Sequence, residues 1–570
     1  MERRVLLAIT LSFLVLFLFQ RFVMPPPPEA PANATAATSP PAATASPSAT
    51  TASPSTQPAA PSLAAASPAS LPAAEATITE PGAREVVVET AKVKAVFSNR
   101  GGVLTHWVLK DFRNDNGQPL DLVPQGAGAS AIKPFSLTVD DAKISARLNE
   151  SIYRVTVNGA PAGTSIDATS TAQTIEFETA SADGLNVRKR ITLEPTSYVI
   201  AMTQQIHVGS QQLNPTIHWG PGLGDEIARS KPSSFLSPSY NTPAAPLVHK
   251  DGKVTRLRAS DTGTQEGSLR YAGVDDHYFV SMLVNESGAQ VRMDYAPVLA
   301  PQQDDPAIVG HYVAYALRLA QPQEQSKFFL GPKGFEDLRA ISPEATRVIN
   351  YGMFSWLAVP LLGALKWVHG YVGNWGWSII ALTLLINFAL FPLRHKSVVS
   401  MRKMQEIQPQ MKAIQDRYAK YKVTDPERQK MNTEIMELYK AKGVNPASGC
   451  VPMLLTFPFL FAFYSMLSQS IEIRGADFMG WIHNLSAPDP LFIFPVLNGA
   501  AQFLQMKLQP AGGDPAQQKV MMVMPIMFLV MSFNFPSGLV IYWLVATLFT
   551  IGQQYFTNYL IGAPARAKAK

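Results

Sequence analysis

Chemically capable residues in the last third of the chain are few and mostly neutral. Thr383, Asn387, Asn498, Gln502, Asn534, Thr547, Gln553 and Gln554 stand in otherwise apolar stretches. Neither Trp375–Leu393 nor Val520–Ile561 contains an Asp or Glu. Pumps and ion-coupled transporters place ionisable side chains at membrane depth, so this absence argues against an ion or proton relay. Hydroxyls and amides in such a setting either bond across neighbouring helices or line a wet cavity, and the sequence leaves both open. No nucleophile–base set and no metal-ligand spacing occurs in these stretches, so no catalytic residue, metal or cofactor is expected there. One cation stands close by. Arg394 follows Asn387 by seven residues, two helical turns along roughly the same face.

Two motifs earlier in the chain invite a chemical reading and do not sustain it. Gly220-Pro-Gly-Leu-Gly-Asp225 has the look of a phosphate loop, but proline holds its second position and no helix pattern follows, so a turn is expected. Asp275-Asp276-His277 could offer metal ligands. Consecutive residues on a strand point to alternate faces, however, and no second His cluster stands out, so ordinary surface polarity is expected.

Composition shows which elements must hold these residues. The chain has 570 residues, a net charge of +6, 47% hydrophobic residues and a lone cysteine, Cys450, which excludes an internal disulfide. Residues 1–24 open with Arg3 and Arg4 and then run apolar, with no small-residue cleavage site before Pro25, so an uncleaved transmembrane anchor is expected. Residues 25–84 are rich in Pro, Ala, Ser and Thr and read as an extended linker. Residues 85–340 carry β-branched and aromatic runs such as Tyr153-Arg-Val-Thr-Val157 between turn residues, the pattern of an all-β antiparallel sandwich. Ser342-Pro-Glu344 reads as a helix start, and residues 341–374 as an interfacial amphipathic helix.

Residues 375–562 then read as a five-helix bundle, with spans at about 375–393, 451–468, 491–506, 520–535 and 539–561. The anchor makes six transmembrane helices. The basic segment Arg394–Lys442 and the basic tail at 563–570 fall on one side, which the positive-inside rule assigns to the cytoplasm together with both termini. Residues 25–374 then lie largely on the opposite, periplasmic side. Within 394–447, Met401, Met404, Ile407, Met411, Ile414, Tyr418 and Tyr421, then Met431, Ile435 and Leu438, recur at helical spacing around a break at Thr424-Asp-Pro426. This is a helical hairpin. The stripe serves as its seam or, through Met401, Met404, Met411 and Met431, as an adaptable apolar surface.

The bundle resembles the YidC/Oxa family of membrane protein insertases, Gram-negative YidC type. The resemblance rests on Gly373-Asn-Trp-Gly-Trp-Ser-Ile-Ile380, Lys442-Gly-Val-Asn-Pro446 with Gly449 and Cys450, Trp481-Ile-His-Asn-Leu-Ser-Ala487 with Asp489 and Pro490, and Phe535-Pro-Ser-Gly-Leu-Val540, in family order and spacing. It implies a hydrophilic groove open to cytoplasm and lipid, with no nucleotide hydrolysed by the insertase. It also implies a mutarotase-like periplasmic supersandwich and a hairpin that receives clients. The implied partners are nascent membrane proteins, the Sec translocon, ribosome and targeting factors, and membrane lipid, with no specific nucleic acid. Carried onto this chain, the groove is lined by Thr383, Asn387, Gln502, Tyr542 and Trp543, with Arg394 expected at its cytoplasmic mouth. The family usually has a cation where Asn387 stands and Tyr where Trp543 stands. The competing expectation is a membrane-anchored periplasmic protein that binds or modifies carbohydrate; it requires a His and carboxylate pair in a pocket.

Overall fold

The computed structural model describes residues 77–114, 117–125, 131–224, 242–258, 263–301, 309–321, 325–421, 425, 427–443, 451–508 and 525–561. The expected anchor, most of the linker, Cys450, the Thr424 and Pro426 break and the basic tail lie outside the described residues.

From Glu85 to Pro332 the chain forms three sheets. The largest has eleven strands, all paired antiparallel. Its strand Leu185–Leu193 shows why the sequence pairs this way: Leu185, Val187, Ile191 and Leu193 point inward while Asn186, Arg188, Arg190 and Thr192 face out. A five-stranded sheet centred on the hairpin of Gln290–Pro301 and Val309–Leu319 packs against it. Phe135 joins the two, edge-on to Trp219 at 6.0 Å and to Phe328 at 5.3 Å. A third sheet begins with Glu85–Glu89, whose parallel pairing with Ser165–Asp167 departs from the antiparallel expectation. Trp107 is fully buried and donates its indole N–H to Leu330 O at 2.8 Å, tying this third sheet to the first.

Three local features differ from the sequence reading. A helix, α1 (Ala142–Glu150), interrupts the strands, N-capped by Asp141, which accepts from the amides of Lys143 and Ile144. Ser342 does not start a helix. It closes α2 (Phe335–Ile341), and only a 3-10 turn, Ala345–Val348, follows.

The Asp275–His277 triplet is not surface polarity: Asp275, Asp276 and His277 are 1%, 4% and 1% exposed. The strands on either side, Tyr271–Asp275 and Phe279–Val284, are buried on both faces in the middle of the large sheet, so alternation puts neither set of side chains in water. Arg256 and Lys333 neutralise Asp275, with contacts of 2.6 and 3.1 Å. Burial opposes ionisation of this carboxyl, but the two cations together outweigh it and hold the pKa below its ordinary value.

The C-terminal part is helical: α3 (Ser355–Val372), α4 (Trp375–Glu406), α5 (Gln408–Arg417), α6 (Glu427–Ala441), α7 (Val451–Gln469), α8 (Ile493–Leu508) and α9 (Ser537–Ile561). Residues 525–532 are also helical. Among the described residues two helices are long and apolar enough to cross a membrane, Trp375–Ser400 and Ser537–Leu560. Helix α3 buries one face and exposes the other. Ala358, Leu361, Leu362, Leu365 and Val368 are buried, while Trp356, Trp367 and Tyr371 are exposed, and Gly373 ends the helix with φ 72°. Helices α5 and α6 form the hairpin, where the Tyr418 hydroxyl donates to Glu434 at 2.7 Å and the Tyr439 hydroxyl to the Met411 sulfur at 2.9 Å. Met411 therefore sits in the seam. Met404 and Met431 are half-buried, and Met401 lies on α4 with its side chain outside what is described.

Candidate functional site

The site is built on α4 and α9, which pack along their length. Asn374 caps the start of α4: its side-chain oxygen accepts from Trp377 N at 3.1 Å while its amide donates to Asp477 O and Phe478 O. Two turns on, Thr383 is fully buried and turns its hydroxyl back to Ile379 O at 2.6 Å. Asn387, 4% exposed, does the same through its amide, donating to Thr383 O at 2.7 Å. That leaves the Asn387 side-chain oxygen facing away from its own helix turn as an acceptor.

Arg394 fills that acceptor. Its guanidinium donates to Asn387 Oδ1 at 2.7 Å and to the Thr550 hydroxyl of α9 at 3.3 Å. Long side chains on a helix lean toward its N-terminus, so a residue seven positions on can reach back over the intervening rise. The Cα of Arg394 lies two turns along α4 from Asn387, but its charge lies beside that side chain. Among the described residues no carboxylate pairs with Arg394. A half-buried guanidinium held by neutral oxygens is a poorly compensated positive charge, and it attracts an anionic group.

Tyr542 of α9 lies within electrostatic reach of Arg394 and stacks on Phe463 of α7, ring centroids 4.4 Å apart and planes 6° off parallel. Thr383, Asn387, Arg394, Tyr542 and Thr550 are thus brought together by α4, α7 and α9. Trp543 is not part of that group. One residue on, its indole turns toward Phe528 and Phe535, edge-on at 5.9 and 5.2 Å, and its N–H has no hydrogen-bond partner among the described residues. Gln502 is half-buried on α8, which packs against α9, and takes part in none of the contacts above. Buried Asn498, on the same helix, leaves its side-chain oxygen unpaired among the described residues.

Farther along α4 and α9, Gln553 donates to Phe391 O at 3.1 Å, and His395 meets the Thr557 hydroxyl at 3.2 Å. Among the described residues no group of His, Cys, Asp and Glu could hold a metal ion. Sequence reasoning missed Thr550. Its hydroxyl sits at a helical spacing of eight from Tyr542, and that spacing was the available signal.

Comparison with known proteins agrees with this layout. A family model described as the YidC periplasmic domain matches residues 85–364, and one described as 60Kd inner membrane protein matches residues 367–563. The membrane protein insertase YidC of Cupriavidus taiwanensis is 33% identical over 495 residues, covering 85% of this chain and 84% of the relative. The insertase of the same name from Burkholderia ambifaria is 34% identical over 508 residues, covering 86% of this chain and 87% of the relative. Both family models fall where the strand-rich and helical parts lie, and the relatives' names do not favour the carbohydrate alternative. The chain therefore belongs to the YidC family of membrane protein insertases, inner-membrane proteins with a periplasmic domain.

Proposed function

We propose that the chain inserts nascent membrane proteins through a wet groove between α4, α7 and α9. Thr383, Asn387 and Tyr542 would contact the client's hydrophilic flank, and Arg394 would supply the charge. Gln502 and Trp543 would border the groove on α8 and α9. The observation that carries this reading is the guanidinium of Arg394 beside Asn387, with neutral partners only among the described residues. Partial hydration and one fixed cation shorten the low-dielectric path that a polar, acidic segment must cross. No covalent step and no cofactor is needed.

The wider reading has six transmembrane helices, both termini cytoplasmic and the strand-rich region periplasmic. The hairpin, with Met401, Met404, Met411 and Met431, would receive clients from the ribosome, targeting factors or the Sec translocon. Its support is the basic charge gathered at 394–442.

Two experiments test the groove. A photo-crosslinker at position 387 is expected to capture a stalled nascent chain, whereas one at Leu385, 53% exposed on the outer face of α4, is expected to capture mainly lipid. Capture of the client at 385 alone would refute the groove. Arg394→Ala is expected to slow insertion of an acidic-tailed client roughly fivefold, about the ~1 kcal/mol of one partly screened charge interaction, and a neutral-tailed client much less. Adding Asn387→Arg to Arg394→Ala is expected to restore the acidic client. Equal insertion by wild type and Arg394→Ala would sink the role of the charge.

A further inference from the structure

The turn between the strands Tyr271–Asp275 and Phe279–Val284 does more than bury charge. His277 Nε2 lies 2.6 Å from the backbone oxygen of Ser468, at the end of α7. On the other side of the ring, Nδ1 lies 3.3 Å from both the amide and the hydroxyl of Thr242. A backbone amide can only donate, so Nδ1 accepts and the ring proton sits on Nε2, where it donates to Ser468 O. Burial, reinforced by the charge of Lys333, pushes the imidazole down to about 4, which keeps it neutral at neutral pH.

Ser468 is the penultimate residue of α7, and the last four carbonyls of a helix lack partners within it. One of them, Met466 O, is satisfied locally by the amide and hydroxyl of Ser470, at 3.0 and 2.6 Å. Ser468 O is satisfied from the strand-rich region instead.

The imidazole is held firmly in place. Tyr278 packs edge-on to it at 4.4 Å, and the Arg474 guanidinium, five residues past the end of α7, lies over the Tyr278 and Phe279 rings at 5.5 and 5.0 Å. Asp276 accepts from the amides of Tyr278 and Phe279 at 2.8 and 2.7 Å, which fixes the turn, and Lys333 donates to Asp276 O at 2.5 Å.

We propose that this turn is a helix C-cap supplied to α7 by the periplasmic domain, with His277 as a positioning residue for insertion. Five residues back along α7 from Ser468, Phe463 stacks on Tyr542. A shift of the helix end therefore moves the aromatic wall beside Arg394. The cap stands on hydrogen-bond geometry alone; its effect on insertion rests on the groove reading above.

The test uses the full chain in liposomes, with His277→Phe, which keeps a ring but removes the donor, and His277→Gln, whose amide can donate at similar reach. His277→Phe is expected to speed amide hydrogen exchange across residues 466–474 about tenfold and to slow client insertion about threefold. His277→Gln is expected to return both toward wild type. Should His277→Phe fail to accumulate, His277→Met carries the same expectation. Unchanged exchange in the apolar variant would overturn the cap. Equal defects in Phe and Gln variants would also overturn it, because packing rather than the hydrogen bond would then be at work. Faster exchange with unchanged insertion would overturn the positioning role. If the wild-type chain itself inserts no client, the groove reading fails while the exchange measurement still decides the cap.

Discussion

Individual side chains place charge where water is scarce, and the protein satisfies that charge in two different ways. Asp275 is paired with Arg256 and Lys333, and Arg256 also donates to Val348 O at 2.5 Å. Asp275→Asn would leave two cations facing a neutral amide in a buried site, and is expected to destabilise the periplasmic domain by about 3–5 kcal/mol, read as a lower urea midpoint. The native carboxyl is held below its ordinary range, so the stability it contributes is complete above that range. That contribution is lost as the pH falls through the depressed native value, so the urea midpoints of wild type and Asp275→Asn should converge in strong acid. Among the described residues Lys189 has no carboxylate partner. Its ammonium donates to Gly101 O, Gly102 O and Phe135 O at 3.0, 2.9 and 2.9 Å, and burial pushes it down to about 7. It stands at an inward position of an alternating strand, where the pattern alone would place an apolar residue. Arg394 likewise has neutral partners among the described residues, but near a surface that the proposed client would reach.

Among the elements, the ends of the helices carry the specificity. Gly376, in the first turn of α4, lets the Phe478 ring approach so closely that an added Cβ would lie 2.0 Å from Phe478 Cδ2. Gly376→Ala is expected to push α4 off the segment 473–489 and to cost about 1–3 kcal/mol, visible as a lower unfolding temperature in detergent. Ser537 N donates to Ala487 O at 2.8 Å and Gly538 N to Leu485 O at 2.9 Å, so the start of α9 is pinned to the same segment. Asp489 adds to it, accepting from the Trp481 indole at 2.9 Å and from Phe494 N at 2.8 Å at the start of α8. The motifs that carry the family resemblance are thus largely helix-end fasteners. Helix α3 is held by Lys366, 2.7 Å from Glu472.

Across the molecule, the sheets and the helical bundle meet through polar contacts that include His277 to Ser468, and the Ser465 hydroxyl of α7 donates to Tyr351 O at 2.7 Å just before α3. The charge is separated along the chain, with Lys and Arg concentrated at 394–442. A topology reporter fused after position 300 is expected to signal the periplasm, and reporters at 422 and after 570 the cytoplasm. A periplasmic signal at 422 would overturn the six-span arrangement. The same reporters test whether α3 lies in the interface, since one added crossing there would invert every later position.

The order of the parts could be read directly from the amino acids, because hydrophobic periodicity and charge asymmetry are local: strands from residue 85, an amphipathic helix before 374, then long apolar helices around a basic hairpin. The neutral side chain of Asn387, where the family resemblance implies a cation, was equally plain. Where charge actually sits was settled by tertiary packing alone. Arg394 carries its guanidinium back to Asn387 because its side chain is long and Thr550 of another helix waits there. Asp275 and His277 look like surface polarity in one strand, yet they are buried because distant parts of the chain, Lys333 and Ser468 among them, close over the turn. Burial of a polar group depends on what packs against it from elsewhere in the chain, and no local pattern encodes that.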